Sequence, residues 1–594
     1  MIWLRLEIFL EENIVVAGSV ERMKTRKKFF FLASERRSRA ISWRVRAPIN
    51  MFDHSDMLPL MNIAREAKQF VQKHADALTL SIASGFVFLW TTFRFLTNGA
   101  NFDVVGQIAL AGRWAHGLHG GAQLGATNYL LKMPIYALAN SLSVISPHLR
   151  LYLLALVFNL ITFWALFWLG KKYLRLAGVR QALYWRLAVV WLSIIAGRVF
   201  WMDYANSRNL EVVGGVAVLY LGLKLLDSWS WKRFWTLLLL SGVVFFADPL
   251  QMYIMGSSLV IYSLGSWFNH TRQRRFTQAQ SSGAVMGAMV GAVLFAKGAT
   301  WLASHILPVS FLAAPEKQLV LSTEEVWRSL LGIVRASARI LDLDIYAKAF
   351  GVVSLRHAVA WMLFCSVAWA ILRSVRKLAT KEASLLVLVL CLSYALYVVS
   401  GHALQIGTER YLVLVPIVLA LLFGLAGDAP KRSQRGFLLN IWAIGVVVSL
   451  CLLTGALVRA WPSRFSVDKP MFALADYATR SPADVVISGR QYALPANYYA
   501  GYGEKIAPVI CTNEAKVKLS NLFYDRSSWR GLDRPSNTIA IVVQPGGIYS
   551  EQYVCRSNDI LKQLGPPERR LEEAEVGTIL FYQGSVRLKN QLSE

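Results

Sequence analysis

Runs of about twenty apolar residues recur along most of the chain, and they constrain the fold more than any motif does. A stretch such as LLVLVLCLSYALYVV, residues 385–399, has no charged position with which to hold one face in water. Eleven runs of this kind are read at roughly 78–96, 150–170, 184–201, 209–226, 233–248, 250–268, 281–303, 351–373, 384–400, 410–427 and 437–458. The expected fold is therefore an α-helical polytopic membrane protein of about eleven spans. Only 17% of the residues are charged, against about a quarter in soluble proteins.

The formal charge of +27 would suit a nucleic-acid binder, but its distribution argues against one. Basic residues fall in short clusters between apolar runs: KKYLRLAGVRQALYWR after 170, DSWSWKRF near 227, NHTRQRRFTQ after 268, LRSVRKLATK near 372 and APKRSQRG near 429. Every second connection is basic, the pattern of cytoplasmic loops. No nucleic-acid partner is expected. The stretch ERMKTRKKFFFLASERRSRAISWRVR lacks the apolar core and small-residue cleavage site of a signal peptide. Residues 1–77 are read as a basic cytoplasmic N-terminal region, 78–458 as the transmembrane domain, and 459–594 as a domain that the odd number of crossings sends outside. The simplest home is a bacterial plasma membrane.

The tail reads as a small α/β unit. DVVISG, KIAPVIC, TIAIVVQP and VGTILFYQG have strand character, whereas KPMFALADYATR, EAKVKLSNLF and NDILKQLG read as amphipathic helices. About 130 residues suffice to bury a core. QPGGIY is a turn and not a phosphate-binding glycine motif. Cys365, Cys391 and Cys451 fall inside apolar runs as small core residues. Cys511 and Cys555 lie in the tail and can pair in an oxidising compartment.

Ionisable and polar groups are expensive in hydrocarbon, and here they collect at one membrane face instead of threading the spans. Asp103, Asp203, Arg208, Glu211, Asp248, Gln251, His305, Glu316, Lys317, His402, Glu409 and Arg410 all fall at or beyond outer helix ends, as does the loop carrying Lys132 and Tyr136. Such a surface suits a sugar carried on a polyprenyl phosphate, with its tail in the bilayer and its head at the boundary. Transfer to an acceptor hydroxyl needs a carboxylate base and cations for the charge on the departing lipid phosphate. Asp103 fits the base, and Arg208, Arg410 or Lys132 fits the phosphate-binding role. The segment after Asp103 is expected to lie in the interface plane, with Val105, Ile108, Ala109, Gly112 and Trp114 on an apolar side and Gln107, Arg113 and His116 on a wetter one.

Four stretches carry a family resemblance: NFDVVGQIALAGRWAHG and GATNYLLKMPIYALANSL in the first outer loop, then MDYANSRNLEV and TERYLVLVP. With the long first loop and the outer C-terminal domain, the chain across about 80–594 resembles the GT-C superfamily of integral-membrane glycosyltransferases. Protein mannosyltransferases and bacterial aminoarabinose transferases are members of that superfamily. The resemblance implies an inverting hexosyl or pentosyl transferase that uses a polyprenyl-phosphate-linked sugar, with a glycan, lipid or protein as acceptor and membrane lipid as surroundings. It implies Asp103 and Asp203 as the catalytic carboxylates, Arg208, Arg410 and Lys132 as phosphate ligands, and Glu211, Tyr136 and His402 against acceptor or sugar. No cofactor follows with certainty; a divalent metal is compatible with this set, and no ligands for it are identified. Asp103 stands alone between Phe102 and Val104, whereas protein mannosyltransferases carry an acidic pair there.

Each residue also has a plainer role. Asp103 suits a helix cap, and Asp203 an exposed turn. Arg208 and Glu211, three apart, suit a helical ion pair. Asp248-Pro249 is how a helix restarts. Arg410 beside Tyr411, and Lys132 before Pro134, suit interfacial anchors. His116 and His119 lack a third metal ligand, and DLD at 342–344 reads as a solvated loop. A lipid-linked-substrate transporter or flippase, and a glycan polymerase or ligase, are the competing activities.

Overall fold

The computed structural model describes residues 54–593 except 99–101, 116–121, 125–129, 143, 180–182, 200–208, 308, 312–321, 344–351, 375–378, 401–410, 427–431, 464–467, 502–504, 513, 521–530 and 550–552; at 54–73, 98, 102–104, 123, 198–199, 209, 352, 432–438 and 549 only the backbone is described. Where they are described, the eleven apolar runs are mostly helical. Six described helices are long and apolar enough to cross a bilayer: His74–Thr97 within α1 (His54–Asn98), α4 (Pro147–Leu176), α9 (Phe276–Ile306), α11 (Val352–Arg373), α12 (Lys381–Val399) and Leu439–Ser463, most of it in α14 (Arg432–Ala460). The other runs are carried by α5 (Leu183–Ile194), α6 (Asn209–Asp227), α7 (Trp231–Ala247), α8 (Ser257–Arg272) and α13 (Leu414–Leu425). A π-helical turn, Met252–Gly256, leads into α8.

Local chemistry sets where these helices begin. Ser146 accepts from Leu149 N with Pro147 at the first helical position of α4, and Thr380 accepts from Ala383 N at α12, so orphan amides at these ends are satisfied. Helix α4 meets α5 where Trp185 lies across Gly170. A Cβ at Gly170 would sit 2.1 Å from that indole, while Trp185 Nε1 donates to Phe167 O at 2.9 Å.

Outside the bundle, β3 (Val485–Gly489), β4 (Ile506–Cys511), β5 (Val517–Leu519), β6 (Thr538–Val543), β9 (Arg569–Glu573) and β10 (Gly577–Gln583) form a six-stranded mixed sheet in the order β5-β4-β3-β6-β10-β9. Strand β3 runs parallel to both β4 and β6. Helices α15 (Lys469–Arg480), α16 (Arg490–Tyr499), α17 (Ser557–Leu564) and α18 (Val586–Ser593) accompany the sheet. The hairpin β7 (Ile548–Tyr549)–β8 (Val554–Cys555) is tied to β4 by a Cys511–Cys555 disulfide. The four strands expected from sequence are present. The stretch EAKVKLSNLF, expected as a helix, instead supplies β5: its Val517–Lys518–Leu519 alternation has the period of a strand and pairs antiparallel with β4.

The domain is not a free appendage. One apolar core runs from the sheet (Ile487, Val509, Ile541, Leu580) into α2 (Phe102–Ala115) through Val105 and Ile108, and on to Phe95 of α1 and Phe158 of α4. Helix α2 lies between α16 and α3 (Met133–Ser141). All of 105–113 is buried, Gln107 and Arg113 included. This corrects the expectation of an interface-plane helix with a wetter side: the domain covers what a lipid–water boundary would have exposed. A short parallel pair, β1 (Ala122–Leu124) with β2 (Val309–Phe311), joins the first outer loop to the second.

Candidate functional site

Of the polar groups that sequence places at the helix ends, Lys132, Glu211, Asp248 and Gln251 are described and buried. Lys132 closes a 3₁₀ turn, Leu130–Lys132, just before Pro134 starts α3. Its Nζ lies 2.8 Å from Glu211 Oε1 and 2.9 Å from Oε2, and both side chains are only 5% exposed. Glu211 sits in the first turn of α6, where the helix dipole favours a carboxylate. It pairs with Lys132, 79 residues away, across the gap between the first loop and the bundle.

One turn further along α6, Gly215 faces Gln251. A Cβ there would come within 2.5 Å of Gln251 Oε1, so only glycine lets the buried amide approach the helix. Gln251 Nε2 donates to Asp248 Oδ2 at 3.3 Å, and Asp248 Oδ1 accepts from Leu250 N at 3.2 Å. Asp248 thus takes the capping role expected of Asp-Pro, with Pro249 at the first helical position. Gln251 is fully buried and its Oε1 has no hydrogen-bond partner. A cation, two carboxylates and an amide therefore gather at the start of α6 and the end of α7 in a buried setting.

Tyr136, one turn past Lys132 on α3, is fully buried, its ring 6.3 Å from Phe158. From the same helix Asn140 Nδ2 donates to Ile108 O at 2.7 Å, fastening α3 to α2. Asp103 lies in the first turn of α2 by its backbone; its side chain is outside the described residues. Asp203, Arg208, His402 and Arg410, like His116, His119, Glu316, Lys317 and Glu409, also fall outside them. His305 is exposed, its ring tilted against Trp301 with centroids 4.4 Å apart and its Nδ1 2.7 Å from Trp301 O. Among the described residues no group of three or more His, Cys, Asp or Glu is placed to hold a metal ion.

A second buried polar group escaped the sequence reading. Asp342, expected in a solvated loop, is buried, with Arg356 Nη2 2.8 Å from its Oδ1. His357 Nδ1 lies 2.7 Å from Asp342 O, and its Nε2 is buried without a hydrogen-bond partner. The Arg356 guanidinium sits 5.8 Å from the Trp90 ring centre on α1. Asp342 is drawn in because φ of +59° turns the chain back towards α11. The adjacent Arg356-His357 pair near the start of an apolar run was the available signal.

The domain meets the first loop through a second set of contacts. Tyr498 OH donates to Pro147 O at 3.1 Å, and Tyr499 OH is 3.2 Å from His148 Nδ1. Burial pushes the Tyr498 hydroxyl up to about 12, the nearby Arg150 charge opposing it. Tyr499 is pushed up further, by burial and then by the Asp468 charge.

No protein-family model matches the chain, and no curated protein matches it. Among solved structures it is similar to the oligosaccharyltransferase of Archaeoglobus fulgidus in complex with zinc and sulfate. There the identity is 10% and the TM-score 0.42, over 78% of this chain and 68% of that one. The same enzyme tethered through a disulfide to an acceptor peptide with an NVT sequon gives 11% identity and a TM-score of 0.42, over 74% and 64%.

Proposed function

We propose that the chain is a membrane glycosyltransferase that moves a sugar from a polyprenyl-phosphate donor to an acceptor hydroxyl at the extracytoplasmic face. The observation that carries this reading is the buried Lys132–Glu211 pair beside Asp248 and Gln251 at the outer helix ends. Ionisable groups held at a bilayer boundary stand where a lipid phosphate and its sugar would be recognised. The Cys511–Cys555 disulfide supports an oxidising, extracytoplasmic setting for the C-terminal domain. With it goes a cytoplasmic N-terminus in a bacterial plasma membrane.

In the proposed reaction Asp103 takes the proton of the acceptor hydroxyl as that oxygen bonds to the sugar's anomeric carbon. The bond from that carbon to the phosphate oxygen breaks on the opposite face, with inversion, and the electron pair leaves on the polyprenyl phosphate. Arg208, Arg410 and Lys132 receive the phosphate charge, Lys132 exchanging part of its contact with Glu211 for it. Asp203 acts as the second carboxylate. Glu211, Tyr136 and His402 face the sugar or acceptor, which is a glycan, a lipid or a protein.

Purified protein incubated with radiolabelled polyprenyl-phosphate sugars and an acceptor extract tests this. Label is expected to move to an acceptor in the wild type, to stay on the lipid in Asp103→Asn, and to move in Asp248→Asn. The opposite pattern for the two variants reassigns the base. Folded wild type that transfers from none of the donors refutes the reading.

A further inference from the structure

Helix α10 (Thr323–Ile340), in the second outer loop, divides its circumference into three sectors that match three media. At 3.6 residues per turn, Val326, Leu330, Val334, Trp327 and Leu331 fall within about 140° of one another. All are exposed, Trp327 by 64%, Leu331 by 60% and Val334 by 62%. A second sector, Ser329, Gly332, Ala336 and Ile340, is buried, with Ala336 and Ile340 part of the bundle's core. Between them, on the remaining side, lie the charged Glu324, Arg328, Arg335 and Arg339, the first two paired at 2.6 Å; Glu325, in the first turn before the buried sector begins, is exposed and accepts from Ser322 Oγ at 2.8 Å. A helix lying free on a membrane needs only two faces, apolar and polar. Three faces in this order belong to a helix resting on the flank of a bundle, with hydrocarbon to one side and water to the other.

Depth agrees. Ser337 Oγ is 3.0 Å from Tyr394 OH on α12, and Tyr394 is five residues short of the outer end of α12 at Val399. At 1.5 Å per residue that is about 7.5 Å inside the helix end. Interface-plane helices sit about 5–10 Å into the headgroup–acyl boundary. The span ends that flank α10 in sequence or pack against it also expose large apolar side chains: Trp301, Leu302 and Ile306 of α9, Leu355 of α11 and Val399 of α12.

We propose that α10 is a membrane-surface helix whose Val326–Val334 stripe is covered by the acyl chains of the outer leaflet. This assignment is independent of the glycosyl-transfer reading. The competing occupants of the stripe are a second copy of the chain and a soluble partner.

The test uses full-length protein in phosphatidylcholine vesicles. Cys365, Cys391 and Cys451 are replaced by Ala, and the Cys511–Cys555 disulfide is left intact. Single nitroxide labels are introduced through Leu330→Cys, Leu331→Cys, Val334→Cys, Arg328→Cys or Arg335→Cys. Each variant is used only if it elutes as the wild type does on size exclusion, and a stripe position that fails is replaced by Val326→Cys. The ratio of collision with oxygen to collision with a water-soluble nickel chelate is expected to be several-fold higher at 330, 331 and 334 than at 328 and 335. Equal ratios would put the stripe in water and overturn the proposal. Stripe labels that are immobile and shielded from both agents would mean protein covers it, and dipolar broadening between labels would identify that protein as a second copy.

Discussion

Two helices that lie between spans, α2 and α10, invite comparison because each follows a span and neither is one. Helix α2, FDVVGQIALAGRWA, has small or apolar residues almost all round, and its described side chains from 105 to 113 are buried. Helix α10, TEEVWRSLLGIVRASARI, carries five charges among its 18 residues and still exposes a stripe of large apolar side chains. A few polar residues do not by themselves make a helix interfacial. What matters is whether polar and apolar positions segregate by angle. In α10 they do. In α2 Gln107 and Arg113 interrupt an otherwise apolar surface, and a helix apolar all round is buried by protein, here α3 and α16.

If α2 and its loop are part of the packed body and α10 is not, substitutions around α2 should cost far more. The largest effect is expected at the ion pair that ties the first loop to α6. Lys132→Met leaves Glu211 buried and unpaired, a loss of roughly 3–5 kcal/mol. It should appear as a collapse of the monodisperse peak in fluorescence-detected size exclusion. The double variant Lys132→Met/Glu211→Leu removes both charges and is expected to recover most of that peak. A single variant as stable as wild type would show that the pair does not hold the loop. Next comes Ile108→Ala, which opens a cavity where α2 meets the domain's core. The expected cost is about 3 kcal/mol, read as a lowered unfolding midpoint, and no change would put α2 back at the surface.

How much of this could be read beforehand follows from the range of the forces involved. Spans are written locally, in about twenty consecutive residues, and among the described residues six helices are long and apolar enough to cross a bilayer, the other runs lying on shorter helical stretches. The strands of Val485–Gly489 and Thr538–Val543 were legible for the same reason. Helix α16 was not, because Pro495 lies inside it. Nor was the burial of α2, which depends on a domain nearly four hundred residues downstream. At the site, the Asp248 cap was legible because its Pro249 is adjacent. Glu211 holds Lys132 across 79 residues, a pairing that spacing could not suggest; Arg208, the neighbour that spacing offered, lies outside the described residues. Pairings set by tertiary approach leave no periodic trace in a single sequence.

The tyrosines that clamp the domain over the first loop give a pH-dependent version of the same contrast. A hydroxyl raised to about 12 in the folded state and near 10 when unfolded keeps its proton longer in the fold. Between those values the unfolded state binds fewer protons, so stability falls as pH rises. The contribution is fully present below pH 10 and lost through about pH 12, up to roughly 2–3 kcal/mol for two pKa units. Tyr498→Phe is expected to cost about 1 kcal/mol at neutral pH through the lost bond to Pro147 O and to flatten this alkaline limb. The check is the unfolding midpoint of both proteins from pH 8 to 12; parallel curves would mean Tyr498 is not sealed between domain and loop.

The smallest effect belongs to α10. Its stripe side chains touch little protein, so Leu331→Ser should change the unfolding midpoint in detergent by no more than about 0.5 kcal/mol equivalent, the usual range for surface positions. Lipid should reveal what detergent hides. Removing an apolar side chain from a hydrocarbon-facing position forfeits transfer energy only when the bilayer is there to supply it. The same substitution should therefore lower the midpoint more in vesicles than in detergent, whereas Ile108→Ala should cost the same in both. If Leu331→Ser proves as damaging as Ile108→Ala in detergent, α10 is held by protein as firmly as α2 is. The contrast between the two helices would then fail, because an exposed stripe would no longer distinguish a lipid-facing helix from a buried one.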